Sequence, residues 1–402
     1  MDGKITTCFL SVAVIVIAAL NIQNCSSDSP SDLPPASEIG KESSSSETKS
    51  SLDASSSSLG TQPPSGTSSS SPETSSSSGT GSSRSSSSGT QSSSGASSSS
   101  AQGSDDGKPI VYMTTKITPE GLIAVYEALG LQASGKVAVK ISTGEPANRK
   151  YFLNPDLIKD LVQKVNGDIV ECNTAYPGTQ RGAAAAHKQV AKDHGFTNIA
   201  TVVIMDENGY DTIPVTGANT KRLTFDIVGK AFKDYDFHIV LSHFKGHTMG
   251  GFGGALKNMS IGYASKTGKA WIHSAGKNTT IPIGGGADQN AFLESMAEAA
   301  KAVADANKGK ILYINVLNNM SVDCDCMSNI AEAKIKDIGI LASLDPVALD
   351  KASLDLVDKA PASEKKDLVE RIDSRNGRLT VTHAEKIGLG STDYKLEEVV
   401  VP

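Results

Sequence analysis

The chain has 402 residues, with 38 lysines and arginines against 44 aspartates and glutamates, for a formal net charge of −6. That balance excludes a basic nucleic-acid footprint, and 5% aromatic residues with a single tryptophan exclude a stacking platform for single strands. Five cysteines are too few for a disulfide-built scaffold.

Met1 to Asn24 read as an export signal, with Lys4 and the amino terminus as the positive start and Phe9 to Leu20 as an unbroken apolar run. As a helix that run spans roughly 18 Å, short of a bilayer core of about 30 Å. Cys25 follows directly, and then a polar, Ser-rich run. The order resembles that of a bacterial lipoprotein, in which the cysteine is lipidated and becomes the mature amino terminus. Ile22-Gln23-Asn24 departs from that pattern, because no small residue precedes the cysteine. The expectation is an exported protein of the cell envelope, membrane-anchored through Cys25 and facing the periplasm or the surface. Residues 25–107 then collapse to Ser, Gly, Thr, Pro and occasional acids, too little apolar surface to offset chain entropy. A flexible tether of some 80 residues reaches roughly 50 Å.

Residues 108–402 alternate strand and helix signals. Lys136–Ser142 is rich in strand formers, and Pro155–Val165 has helical apolar spacing behind an Asn154 cap. Asp168–Cys172 returns to strand, and Arg181–His194 is an Ala-rich helix stopped by Gly195. Thr201–Met205 and Phe237–Phe244 read as buried strands, Phe292–Ala306 as helix, and Ile311–Leu317 and Ile338–Ala342 as strands. Asp345-Pro346 opens a helix to about Lys359. The pattern predicts an α/β domain, a mostly parallel sheet flanked by helices, in one lobe or two. Chemistry in such sheets gathers where strands end in loops. Four loops stand out: Thr143–Glu145, Asn173–Arg181, the loop after Phe244, and Asn318–Ser328.

The third loop, SHFKGHTMGGFGGALKN, is the richest in chemistry. Gly246, Gly250, Gly251, Gly253 and Gly254 let the backbone approach a ligand, and a helix starting near Gly254 would aim N–H groups at an anion. His243, His247, Lys245 and Lys257 share the stretch. It is neither a dinucleotide fingerprint nor a P-loop, since Leu256 stands where a third glycine would be needed. Lys140 and Glu145 flank a strand end at the predicted rim of the same cleft, and Arg181 closes the loop after the next strand. His273 lies in a second small-residue turn. Asp288 and Asp345 read as helix caps. Cys324 and Cys326 form a C-x-C flanked by carboxylates, and Cys172 ends a strand. Three states stay open for these thiols: a soft-metal site completed by a third ligand, a disulfide from Cys172, or reduced bystanders.

KVAVKISTGE, VECNTAYPGTQR, the long glycine loop, AWIHSAG, VDCDC and ILASLDPVALD together resemble one bacterial and archaeal family, domain-of-unknown-function family 362, often labelled an uncharacterised Fe–S centre protein. Many relatives append a ferredoxin-like segment with four close cysteines, which this chain lacks. A weaker resemblance links the loop to the nickel-pincer lactate racemases. His247, Gly251-Phe-Gly-Gly254, Lys257 and His273 match that family's intervals. The resemblance implies that Lys257 contacts the cofactor, His273 ligates metal, and His247 works as acid or base. The loop 173–181 offers Arg181 but no histidine, and export as unfolded chain would not deliver a cofactor attached in the cytoplasm, so both count against the pincer group. The cofactor stays open between a metal ion and an Fe–S centre. The expected function is a metal- or Fe–S-dependent enzyme on a small anionic substrate, using His243, His247, Lys257, His273 and Arg181. The alternative is a non-catalytic envelope module that binds metal or ligand.

Overall fold

Apolar runs fold into strands and the amphipathic stretches between them into helices, in the alternation that the sequence predicts. The computed structural model describes residues 107–146, 151–176, 178–280, 287–323 and 334–401. The export signal, Cys25, the tether up to residue 106, and both Cys324 and Cys326 lie outside them.

In chain order the first half runs β1 (Ile110–Thr114), α1 (Pro119–Ala128), β2 (Val137–Lys140), α2 (Pro155–Lys164), β3 (Gly167–Glu171), α3 (Ala184–Asp193), β4 (Val202–Ile204), β5 (Tyr210–Pro214) and β6 (Phe225–Gly229). Then come β7 (Phe237–His243), β8 (Lys245–His247), β9 (Gly251–Gly253), α4 (Ala255–Tyr263), α5 (Lys266–His273) and α6 (Gln289–Ala306). The chain closes with β10 (Ile311–Leu317), β11 (Gly339–Ser343), α7 (Pro346–Lys359), α8 (Ala362–Ser374), α9 (Leu379–Lys386) and β12 (Lys395–Glu398). Asn154, Asp288 and Asp345 cap α2, α6 and α7 through side-chain oxygens, as their positions predict.

Eight strands form one sheet in the order β12-β1-β11-β10-β7-β2-β3-β4, and only β11 runs against the rest. The fold is therefore α/β with a mostly parallel sheet. Residues two apart share a face of each strand, and both faces are buried. Ile239, Leu241, Leu312 and Ile314 pack with Leu122, Ile158 and Leu161 of α1 and α2. On the opposite face Val240, Tyr313 and Leu341 pack with Met259 and Tyr263 of α4 and with α6 and α7. From β2 the chain steps outward through β3 to β4, then returns to lay β7 on the other flank of β2. That reversal opens a crevice beyond the carboxyl ends of β2 and β7.

α4 is fixed above the crevice by a buried carboxylate from α7. Asp350 accepts hydrogen bonds from the backbone N–H of Ala255 (2.8 Å) and Leu256 (2.9 Å), and from the Asn315 amide of β10 (2.8 Å). A Cβ at position 254 would run into that carboxylate, so Gly254 is required by the approach of Asp350. This corrects the expectation that the helix start would present free N–H groups to an external anion: the protein supplies the anion itself. The Ala-rich helix also begins later than its composition suggests. Gln180–Gly182 form a separate 3-10 turn, which aims Arg181 inward at two carboxylates.

Removing the α7 carboxylate leaves three buried donors without a partner. Asp350→Ala should lower stability by roughly 2–4 kcal/mol in urea denaturation. A loss under about 0.5 kcal/mol would show that α4 does not depend on it.

Candidate active site

A cavity of about 130 Å³ lies at the reversal point, walled by the ends of β2, β3 and β7 and by α4 and α5. Charged residues within apolar strand sequence build its floor. Lys140, in the run VAVK, is 1% exposed. Its ammonium donates to the Ile141 carbonyl and to Asn258 Oδ1, both at 2.8 Å. Gly262 makes the room, because a Cβ there would meet Lys140 Nζ. Burial pulls the Lys140 ammonium down to about 8, against the favourable field of Glu171.

Glu171, in the run DIVE, anchors a buried polar network. Its Oε2 accepts from the Thr143 N–H (2.9 Å), the Thr143 hydroxyl (2.7 Å) and His187 Nε2 (3.1 Å). Its Oε1 accepts from Arg181 Nη1 at 2.8 Å, and Arg181 Nε donates to Glu145 Oε1 at 3.0 Å. Burial alone would raise the Glu171 carboxyl, but Arg181, His187 and Lys140 outweigh it and hold it well below the usual carboxylate range. Burial keeps His187 below its ordinary value and therefore neutral. Arg181 thus holds two carboxylates of the protein together at the cavity edge, where the sequence offers it as a group for the substrate anion. Glu145 stands behind Arg181 and does not line the cavity.

His247 and His273 both line the cavity, in opposite tautomers. His247 Nδ1 accepts the N–H of Met249 (3.2 Å) and Gly250 (2.9 Å), so its proton sits on Nε2. His273 Nδ1 faces the Lys269 carbonyl at 2.7 Å and must donate, which leaves Nε2 bare. The ring stacks on Phe292 at 4.6 Å between centroids. Burial, then the charges of Lys257 and its neighbours, push His247 well below its ordinary value. Burial brings His273 to about 4, with Lys257 and Lys269 pressing the same way and the Lys269 carbonyl opposing.

The remaining predicted residues divide between lining and support. Lys257, Gly253 and Gly254 line the cavity, whereas Gly251 does not. Gly251 takes φ 79° and lies against the backbone of Ile372 and Gly377, so its lack of a side chain serves packing. His243 lines the cavity, but both its ring nitrogens face backbone carbonyls, Tyr151 O at 3.1 Å and Asn318 O at 2.6 Å. That commits it to holding loops in place of the predicted proton transfer. Cys172 is a free, buried thiol that donates to the Tyr263 carbonyl at 3.2 Å. Burial pushes it up to about 12, so in the absence of a metal it is a protonated thiol. Among the described residues no three His, Cys, Asp or Glu side chains converge as a metal site. The one bare imidazole nitrogen of His273 does not fit a metal centre by itself.

Glu171, His187 and Lys269 belong to the site or its support without having stood out in the sequence. For Glu171 the signal was present: a carboxylate inside a strand buried on both faces has to be paired.

Two outcomes are expected. Arg181→Met leaves Glu145 and Glu171 as buried, uncompensated carboxylates, and should cost about 3–5 kcal/mol in urea denaturation. A cost under about 1 kcal/mol would contradict the network. Between about pH 8 and the ordinary lysine range the unfolded chain carries a proton on Lys140 that the folded chain lacks. Stability should therefore rise with pH across that window, and Lys140→Met should remove the rise.

Among curated proteins none matches this chain. Among solved structures the chain is similar to the lactate racemase apoprotein from Thermoanaerobacterium thermosaccharolyticum, at 16% identity and a TM-score of 0.31, covering 52% of this chain and 50% of that one. It is also similar to a crystal structure of a protein from Thermotoga maritima, at 12% identity and a TM-score of 0.36, covering 68% of this chain and 59% of that one. The chain thus spans about half the length of the racemase apoprotein. A family model matches residues 137–355, which contain β2 through most of α7 and the whole polar lining described above. The chain belongs to the family described as domain of unknown function, DUF362.

Proposed function

We propose that this protein is an enzyme that binds a small anionic substrate in the β2–β7 cavity and moves a proton on it between His273 and His247. The observation that carries the reading is the pairing of opposite histidine tautomers inside a cationic cavity. Lys140, Arg181, Lys245, Lys257 and Lys269 line it together with Glu171. Cationic side chains thus predominate among the described lining residues. Such a site draws an anion out of water.

His273 Nε2 has a free lone pair and can accept a proton, and His247 Nε2–H can donate a hydrogen bond to a developing negative charge. The lysines that hold His273 down couple its basicity to binding. An anion that offsets Lys257 and Lys269 relieves their repulsion of the imidazolium and raises the base when substrate is present. Lys140, titrating near 8, sets the alkaline limit of anion binding.

The test is hydrogen–deuterium exchange next to the carboxylate of a panel of small carboxylic acids in D2O, followed by proton NMR. Exchange should be catalysed by the wild type and fall about 100-fold or more in His273→Gln and in His247→Gln. Binding without any exchange would instead favour the non-catalytic module. Anion affinity should decline as pH rises through about 8, and the decline should vanish in Lys140→Met.

The envelope location is part of the same proposal and rests on the first 25 residues. Expressed in a bacterium with its leader, the protein should partition with membranes, and Cys25→Ser should release it. Equal partitioning of both forms would contradict lipid anchoring.

A further inference from the structure

We propose that the substrate of this cavity is a small dicarboxylic acid, held by one lysine pair at each end of α4. The inference rests on the anion-binding reading above and adds the number and spacing of the charges.

At the carboxyl end of α4, Lys140 Nζ lies over Gly262, and Lys269 Nζ donates to the carbonyl of Ala264, the residue that follows the helix, at 2.6 Å. At the amino end the second pair flanks Gly253, with Lys245 Nζ donating to the Tyr151 carbonyl at 3.4 Å. Lys245 is the strand partner of Gly253 across β8 and β9, and the Lys257 stem passes 3.6 Å from where a Gly253 Cβ would stand. From residue 257 to 262 the helix rises about 7.5 Å. His273 lines the same cavity and feels the charges of Lys257 and Lys269, one from each pair.

Size agrees with that spacing. At about 10–15 Å³ for each water-sized position, the cavity of about 130 Å³ accommodates on the order of ten non-hydrogen atoms. An acid of about four or five carbons with a carboxylate at each end fills that space and brings its central carbons to the histidines.

Carboxylate fits better than phosphate because five backbone donors of the glycine loop and the helix start are already used. The N–H groups of Met249 and Gly250 go to His247, those of Ala255 and Leu256 to Asp350, and that of Gly246 to the Ser321 carbonyl. Those five N–H groups are not open to a phosphate, and Arg181, the cavity's guanidinium, spans Glu145 and Glu171.

The test is calorimetric titration of the full chain with malonate, succinate, glutarate, butyrate and inorganic phosphate. Succinate or glutarate should bind at least about tenfold more tightly than butyrate and phosphate, since the second carboxylate gains a further charged hydrogen bond. Lys257→Met and Lys269→Met should each remove that preference. If butyrate matches the di-acids, the inference fails while the anion site stands. Phosphate binding most tightly would overturn the choice of carboxylate. If no anion binds, the proposed function fails as well. Should either variant lose its cooperative melting transition, the ligand comparison on the wild type decides alone.

Discussion

A carboxylate of the protein's own occupies the start of α4, and the candidate site depends on that contact. Asp350 joins α7, α4 and the Asn315 amide of β10 in one buried cluster. With the helix start satisfied internally, the glycine loop is free of any obligation to bind an anion there. α4 instead works as a rigid wall, presenting Lys257, Asn258 and the bare backbone of Gly262 to the crevice. Burial raises the Asp350 carboxyl to about 6, partly offset by its hydrogen bonds, so the cluster has an energetic cost that the placement of α4 repays.

The second constraint is charge held inside the sheet. Lys140 and Glu171 stand on neighbouring parallel strands, each buried, each at the strand's carboxyl end. Glu171 is stabilised by Arg181, His187 and Thr143, and in turn supports Lys140 electrostatically. The lysine is left below its ordinary value because no carboxylate reaches it directly and burial dominates. A fold optimised for stability alone would place apolar residues at these positions. Their presence at the reversal of strand order, where ligands gather in open α/β sheets, is the physical ground for reading the cavity as functional.

Much of this architecture is legible in the sequence because strand runs and caps are local signals. Ile311–Leu317 and the helix opened by Asp345-Pro346 follow directly from apolar runs and cap chemistry. The glycine loop, with His247, Lys257 and the later His273, marks the site by composition and spacing. What sequence could not show is pairing across the fold. Arg181 looked like an anion binder until Glu145, from the loop after β2, and Glu171, at the end of β3, closed on it. His243 looked like an acid or base, but its ring is set between the carbonyls of Tyr151 and Asn318, one of which takes its N–H when the ring is neutral. Gly251 and Gly254 looked alike, yet one serves backbone packing and the other makes way for Asp350. In each case the deciding partner lies far away in sequence, where no local pattern points to it.

The central claim is that His247 and His273 face one cavity as neutral imidazoles of opposite tautomer. Nitrogen-15 NMR of the histidine side chains in the folded chain measures this directly. The account predicts a proton on Nε2 of His247 and on Nδ1 of His273, with both rings held below the ordinary histidine range in the absence of ligand. Matching tautomers, or either ring titrating between pH 6 and 7 as free histidine does, would contradict it.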